Sequence, residues 1–294
     1  MRNKLFNLFI LLFTLISVSG QDLKAFQFYN QKGKPVVFDK MVKELVNYDV
    51  VLFGEHHNNS INHWLQLKLT EAIYQNKGNN LVLGAEMFER DNQEGLNHYL
   101  AGKILDKDLK DQVRLWNNFN TDYKPLLDFA KNNQLPFIAT NVPRRYASAV
   151  SKNGVDSLTD LPDYEKKWMV KLPYTIDYNA PGYPEMIKMM GDHAGTKAKQ
   201  FVAAQAIKDA TMAESIILNL NQNKLFLHYN GDYHSKQYGG IYWYLKLYKR
   251  SLKVAVIQIL ESKNISLKLE IPENENFILT DFTLVLPEDI TKTY

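Results

Sequence analysis

Three stretches concentrate the side chains able to do chemistry: VVLFGEHHNNSINH (50–63), IATNVPRRYA (138–147) and LFLHYNGDYHSKQYGG (225–240). The first and third share a G-x-x-H spacing, Gly54-Glu55-His56-His57 and Gly231-Asp232-Tyr233-His234. Imidazole and carboxylate are ligands for zinc and other divalent metals and equally the usual acid–base groups, and the glycine permits a tight backbone exit from a strand. His57 and His234, with Glu86 at the end of a neighbouring apolar run (LVLGAE), can converge on a metal with an open position. Glu55 joins them as a further candidate for catalysis. The same groups can equally hydrogen-bond to one another and brace a crevice. His63 is expected on the polar face of a following helix, and His98 at the surface.

The middle cluster has a different character. Pro143 suits the first turn of a helix, whose free amides favour anions, and Arg144 and Arg145 beside it are able to bind carboxylates or phosphates in bidentate fashion. Tyr146 follows within a turn. A cationic setting is expected to lower its pKa and make the phenolate a ligand for a hard ferric ion, and tyrosine is a known axial ligand of haem, whose propionates need cations. A solvated helix face is the plainer reading of Arg-Arg-Tyr. A glycine-flanked Asp192-His193 pair adds one more potential ligand near Tyr183, Met186, Met189 and Met190. No nucleophile elbow, P-loop, dinucleotide fingerprint or H-E-x-x-H spacing is present.

The elements that must position these groups alternate. Apolar β-rich runs at 49–53, 81–85, 135–140, 224–228 and 252–259 are separated by helical patterns such as Ile61, Leu65, Leu69, Ala72 and Ile73 after a cap at Ser60. This predicts an α/β fold, a mostly parallel sheet flanked by helices, with the three clusters at the carboxyl ends of strands and so in one crevice. Residues 143–195 carry five prolines and several aromatics, and are expected to form a smaller helical subdomain in which Trp168, Met169, Met186, Met189 and Met190 find burial. Residues 21–48 read as an exposed lead-in with an edge strand at 35–38, and residues 277–287 as a returning edge strand.

Arg2 and Lys4 precede an apolar run from Leu5 to Val18 and the small residues Ser19 and Gly20, the pattern of a secretory signal peptide over 1–20. One domain over 21–294 is then expected, exported to the periplasm or beyond, with no membrane span after cleavage. The chain has no cysteine, so it carries neither disulfides nor a lipidated cysteine. The net charge is +3, two units of which belong to Arg2 and Lys4, so nucleic acid is not an expected partner.

The runs GEHHNNSINHWLQL, LGAEMFERDNQ, YKPLLDFAKNNQLPFIATNVPRRYA, GDHAG, AQAIKDATMAESI and HYNGDYHSKQYGG together resemble the ChaN-like haem-binding uptake family over about residues 50–260. The resemblance implies a parallel-sheet α/β domain with a smaller helical subdomain. It implies haem at a homodimer interface, ligated by a tyrosine with a histidine nearby. By motif position those roles fall to Tyr146 and His193, with Arg144 and Arg145 as propionate partners, and a haem transport system of the outer membrane as an implied partner. The better-known relatives are outer-membrane lipoproteins, a pattern from which this cysteine-free chain departs. More distantly, the chain is similar to TIKI/TraB proteins and erythromycin esterase-like hydrolases, where G-x-x-H histidines and strand-end glutamates form a metal-assisted hydrolytic site. That likeness implies an alternative function as a metal-dependent hydrolase using His57, Glu86 and His234.

Overall fold

In the computed structural model, residues 23–191, 195–263, 265, 269–271 and 277–293 are described; residues 1–20, where a leader is expected, and His193 lie outside the described residues. The chain runs β1 (Gln27–Asn30), β2 (Pro35–Val36), α1 (Phe38–Leu45), β3 (Val50–Glu55), α2 (Ser60–Lys77), β4 (Leu81–Glu89), α3 (Gln93–Leu100), α4 (Leu109–Gln112) and α5 (Lys124–Asn132). It continues through β5 (Phe137–Asn141), α6 (Arg144–Asn153), α7 (Asp163–Lys166), α8 (Tyr183–Met189), α9 (Gly195–Asn219), β6 (Leu225–Gly231), α10 (Gly240–Tyr248), β7 (Val254–Ser262) and β8 (Phe282–Pro287). The strands form one sheet in the order β2-β1-β8-β7-β3-β6-β4-β5. Six neighbours, β8 to β5, run parallel, and β1 and β2 add an antiparallel hairpin at one edge.

The sheet is buried on both faces, so its central strands begin as apolar runs, as a parallel sheet requires, and turn polar toward their carboxyl ends at Glu55, Glu86 and Asn230. In β3, Val51 and Phe53 enter one core with α1, α2, α3 and α5, while Val50 and Leu52 enter a second with α6, α8, α9 and α10. Fully burying each of these side chains contributes roughly 1.5–3 kcal/mol before ordering costs. Residues 143–191 supply α6 and α8 to the second core, packed on the long helix α9. A buried cation ties this region down: Arg90 contacts Glu214 at 2.9 Å and donates to the carbonyls of Met169 and Thr211 and to the Ser215 hydroxyl.

Several expectations are corrected. The segment before β3 is no exposed lead-in, because Met41 and Leu45 of α1 are fully buried against the sheet. The returning strand β8 is internal, paired to β7 on one side and β1 on the other, since the β1–β2 hairpin takes the edge. Asn59, not Ser60, caps α2, its side chain accepting from the Asn62 amide at 3.1 Å. Met169 is buried, but Met189 and Met190 at the end of α8 stand 74% and 41% exposed. His63 is buried inside α2's inner face rather than on a polar one, because the site beneath it is itself polar.

Candidate functional site

The two G-x-x-H motifs stand side by side. β3 and β6 pair in parallel with Gly54 opposite Asn230 and Glu55 opposite Gly231, so both strands hand their histidines to the same end of the sheet. Each glycine leaves room that a Cβ would fill. A Cβ on Gly54 would lie 2.5 Å from Asp232 Oδ1, and one on Gly231 would lie 2.8 Å from His57 Nε2. The β4 end brings Glu86 and the β5 end brings Asn141 to the same place. All three sequence clusters thus meet in one cleft of about 690 Å³, lined by His57, Glu86, His234, Arg144 and Arg145, with Arg114, Trp116 and Lys208 completing the wall.

At its floor, Glu55 is buried and saturated with donors. Its Oε1 accepts from His57 Nδ1 and from the Tyr123 hydroxyl, both at 2.8 Å, and its Oε2 accepts from Gln66 Nε2 at 2.8 Å. Burial alone would raise the Glu55 pKa, but His63, His57 and Gln66 outweigh it and hold the carboxylate below its usual range. The bond to Glu55 puts the proton of neutral His57 on Nδ1, leaving Nε2 bare. Burial opposes protonation of His57, yet its bond to Glu55 and the field of Glu86 raise its pKa. Trp116 packs edge-on against the ring at 5.0 Å, and Asn118 donates to the His57 carbonyl at 2.7 Å.

Opposite lies a second chain of charges. Glu86 accepts from the Gly231 amide at 2.7 Å through Oε2 and meets His234 Nε2 at 3.1 Å through Oε1. His234 Nδ1 lies 2.5 Å from Asp209, whose other oxygen accepts from the Tyr183 hydroxyl at 2.7 Å. Burial disfavours the His234 cation, but Glu86 and Asp209 prevail and push its pKa up to about 10. Glu86 in turn is held far below the ordinary carboxylate value, burial being outweighed by His234. Asp209 moves the other way, raised by its own burial. The triad is a hydrogen-bonded ion network: both ring nitrogens of His234 are occupied by carboxylates. Among the described residues no group of three or more His, Cys, Asp or Glu is arranged to hold a metal ion. His57, Glu86 and His234 line the same cleft, and carboxylates engage both ring nitrogens of His234.

At the rim, Asp91 bridges Arg145 (2.7 Å) and Arg114, and Glu89 takes Arg114 at 2.6 Å. Arg144 has no partner, and Lys208 reaches only Gln205 at 3.4 Å, so both cations are free of carboxylates among the described residues. Tyr146 turns away from the cleft into the second core, 3% exposed. Its hydroxyl donates to Glu165 at 2.8 Å and accepts from Arg145 Nη2 at 3.0 Å, with the guanidinium 4.5 Å from the ring centroid. The expected lowering of its pKa is reversed: burial and then Glu165 raise it, and Arg145 offsets them only in part. Tyr123, Gln66 and Lys208 are site residues that local sequence did not mark. Asp209 had one hint, a carboxylate at a helix position among apolar neighbours.

The family described as haem-binding uptake, Tiki superfamily, ChaN matches residues 41–245. The chain belongs to the ChaN family. Its fold is similar to that of ChaN from Campylobacter jejuni, a structure described as cofacial haem binding. The two share 17% identity with a TM-score of 0.67, over 89% of this chain and 96% of that one. Weaker likenesses are to a succinoglycan biosynthesis protein (12% identity, TM-score 0.48, 79% and 74% covered) and to the erythromycin esterase EreC (9%, 0.45, 81% and 77%). At such identities the likeness is one of fold alone. No curated protein sequence matches the chain. The expected resemblance and the α/β fold class are thus both borne out, and haem binding is supported at the level of the family.

Proposed function

We propose that this ChaN-family protein is exported and binds ferric haem for iron uptake, as a homodimer, with Tyr146 on the iron. The observation that carries the reading is the family match over 41–245. Arg144 and Arg145 serve as propionate partners and His193 lies near the iron. The geometry around Tyr146 sets a condition on this role. Its hydroxyl has to leave Glu165, which sits on the four-residue helix α7, a short element that costs little to displace. Arg145 then remains as the cation that stabilises a phenolate. The exposed thioethers of Met189 and Met190 add soft apolar surface suited to a flat macrocycle. No helix among the described residues is long and apolar enough to cross a membrane.

The test is titration of the full-length chain without its leader with ferric haem, followed by absorbance, with sedimentation to count protomers. A defined stoichiometry and a tyrosinate-type spectrum are expected, with Tyr146→Phe losing that spectrum while keeping the wild-type unfolding midpoint. An unchanged spectrum in Tyr146→Phe removes Tyr146 from the iron, and absence of saturable binding removes the function.

A further inference from the structure

Away from the strand-end cleft, a groove runs between the carboxyl end of α9 and the loops on either side of α7. We infer that it binds a free long-chain fatty acid, with the acyl chain along its floor and the carboxylate among three lysines. The groove has a volume of about 680 Å³, within the range of small-molecule sites. Its floor is apolar, built from Val155, Met169, Leu172 and Pro173 and, on α9, Leu218. Leu218 stands 70% exposed, so the floor continues into open apolar surface. A second lobe of about 350 Å³ lies beyond it, lined in part by Ile138, Ala139 and Trp168. The two lobes share Arg90, Lys167 and Leu218. Joined in this way they suit an extended acyl chain better than a compact ligand.

The charge of the rim selects the head group. Lys166, Lys167 and Lys171 line the first lobe, and none of them has a carboxylate partner among the described residues. Of the two acidic residues in the lining, Glu214 is engaged through both oxygens: one contacts Arg90 Nη1 at 2.9 Å and the other accepts from the Lys171 amide at 3.0 Å. Asp156 offsets one lysine, which leaves two cations unmatched. The Lys167 ammonium lies 4.4 Å from the Trp168 ring centroid, at the junction of the two lobes. A carboxylate with a long apolar tail answers both halves of this surface, whereas a neutral lipid answers only the floor and a small anion only the rim. The groove is also formed before any ligand arrives. Arg90 donates to the carbonyls of Met169 and Thr211, and the Val170 amide donates to the Thr211 hydroxyl at 3.0 Å, so residues 169–171 are pinned to α9. The site is separate from the proposed haem ligands. Leu218 lies about 35 Å along α9 from Gly195, near which His193 falls in sequence, and none of Arg144, Arg145 and Tyr146 lines either lobe.

The test is calorimetric titration of the full-length chain without its leader, using dodecanoate below its micellar concentration. Saturable binding at a single site per chain is expected. Dodecyltrimethylammonium, with the same chain and the opposite charge, should bind at least about tenfold more weakly. Octanoate should do the same, since each buried methylene is worth up to about fourfold in affinity. Replacing the three lysines together (Lys166→Gln, Lys167→Gln, Lys171→Gln) should weaken dodecanoate about tenfold and erase its advantage over the cationic amphiphile. Leu218→Gln should weaken both amphiphiles about tenfold. None of these four side chains is buried, so the unfolding midpoint should hold. Tyr146→Phe should bind dodecanoate as the wild type does, and ferric haem should not displace it, so failure of the haem reading leaves this result standing. The inference is overturned by absence of saturable binding, by equal affinity for the two amphiphiles or for octanoate, by wild-type affinity in the lysine variant, or by displacement with haem. It is equally overturned by a homodimer that Leu218→Gln dissociates, which would make the groove the seat of a second copy of the chain.

Discussion

Glu55→Gln tests how the floor of the cleft is held. The carboxylate receives three donors at 2.8 Å, from His57, Tyr123 and Gln66, with no exposure to water. A glutamine keeps one acceptor oxygen and turns its amide nitrogen toward donors. The best rotamer leaves His57 and Tyr123 on the oxygen and sets that nitrogen against Gln66 Nε2, whose own oxygen is engaged by His63 at 3.1 Å. Two charge-assisted bonds weaken to neutral ones and one is lost with a buried donor left unmatched, a cost of about 3–5 kcal/mol. The assay is urea unfolding near neutral pH, with Glu261→Gln as the comparison. That carboxylate contacts His56 at 3.0 Å but is 29% exposed, so its loss should cost less than about 1 kcal/mol. The pH sign follows from the lowered Glu55 pKa: its contribution is full above the unfolded value of about 4.3 and lost as pH falls through the folded value. The gap between wild type and variant should therefore narrow in acid. A Glu55→Gln chain within about 1 kcal/mol of wild type, or a gap that widens in acid, refutes the picture of an ionised, donor-saturated floor.

His228, buried between Asn230 and Thr140, has its pKa driven down to about 4 by burial. The unfolded chain takes up that proton first, so stability is full above about pH 6.5 and falls by about 3 kcal/mol toward the folded value; His228→Gln should flatten this slope in pH-dependent unfolding. Gly231→Ala would place a Cβ 2.8 Å from His57 Nε2, so it should dislodge the imidazole, seen as a shifted histidine resonance, while the sheet's circular dichroism stays as it was. Arg90→Ala strands Glu214 and three further acceptors, and should cost about 3 kcal/mol and expose residues 155–185 to limited proteolysis.

The sheet was legible because burial on both faces leaves apolar runs at 50–53, 81–85 and 225–227, and the polar strand ends marked the crevice. What escaped were elements whose character is set from outside. α1 reads as an amphipathic scrap until β8 and α2 cover it, and β8 reads as an edge until the β1–β2 hairpin pairs with it. The same division holds in the site. His57, Glu86 and His234 announce themselves by motif, whereas Asp209 stands out only as a carboxylate in an apolar helix, its partner His234 unnamed by the sequence, and His63 turns inward because polar partners await it. Tyr146 illustrates a third case: two adjacent arginines lead to a lowered pKa on paper, but burial in the second core, and then Glu165 nineteen positions along the chain, raise it.

The sheet order also has a consequence for how the chain reaches its fold. β3, near the start, pairs on one side with β6 and on the other with β7, so the middle of the sheet is closed only by residues 225–262. A nascent chain has α2 and the apolar faces of β3 on display with neither flanking strand yet made. Contacts of such long sequence separation are slow to form, since loop closure precedes any reward. The chain should stay open through most of its synthesis and commit late and all at once, a window in which a holding chaperone or a translocation channel would meet it unfolded.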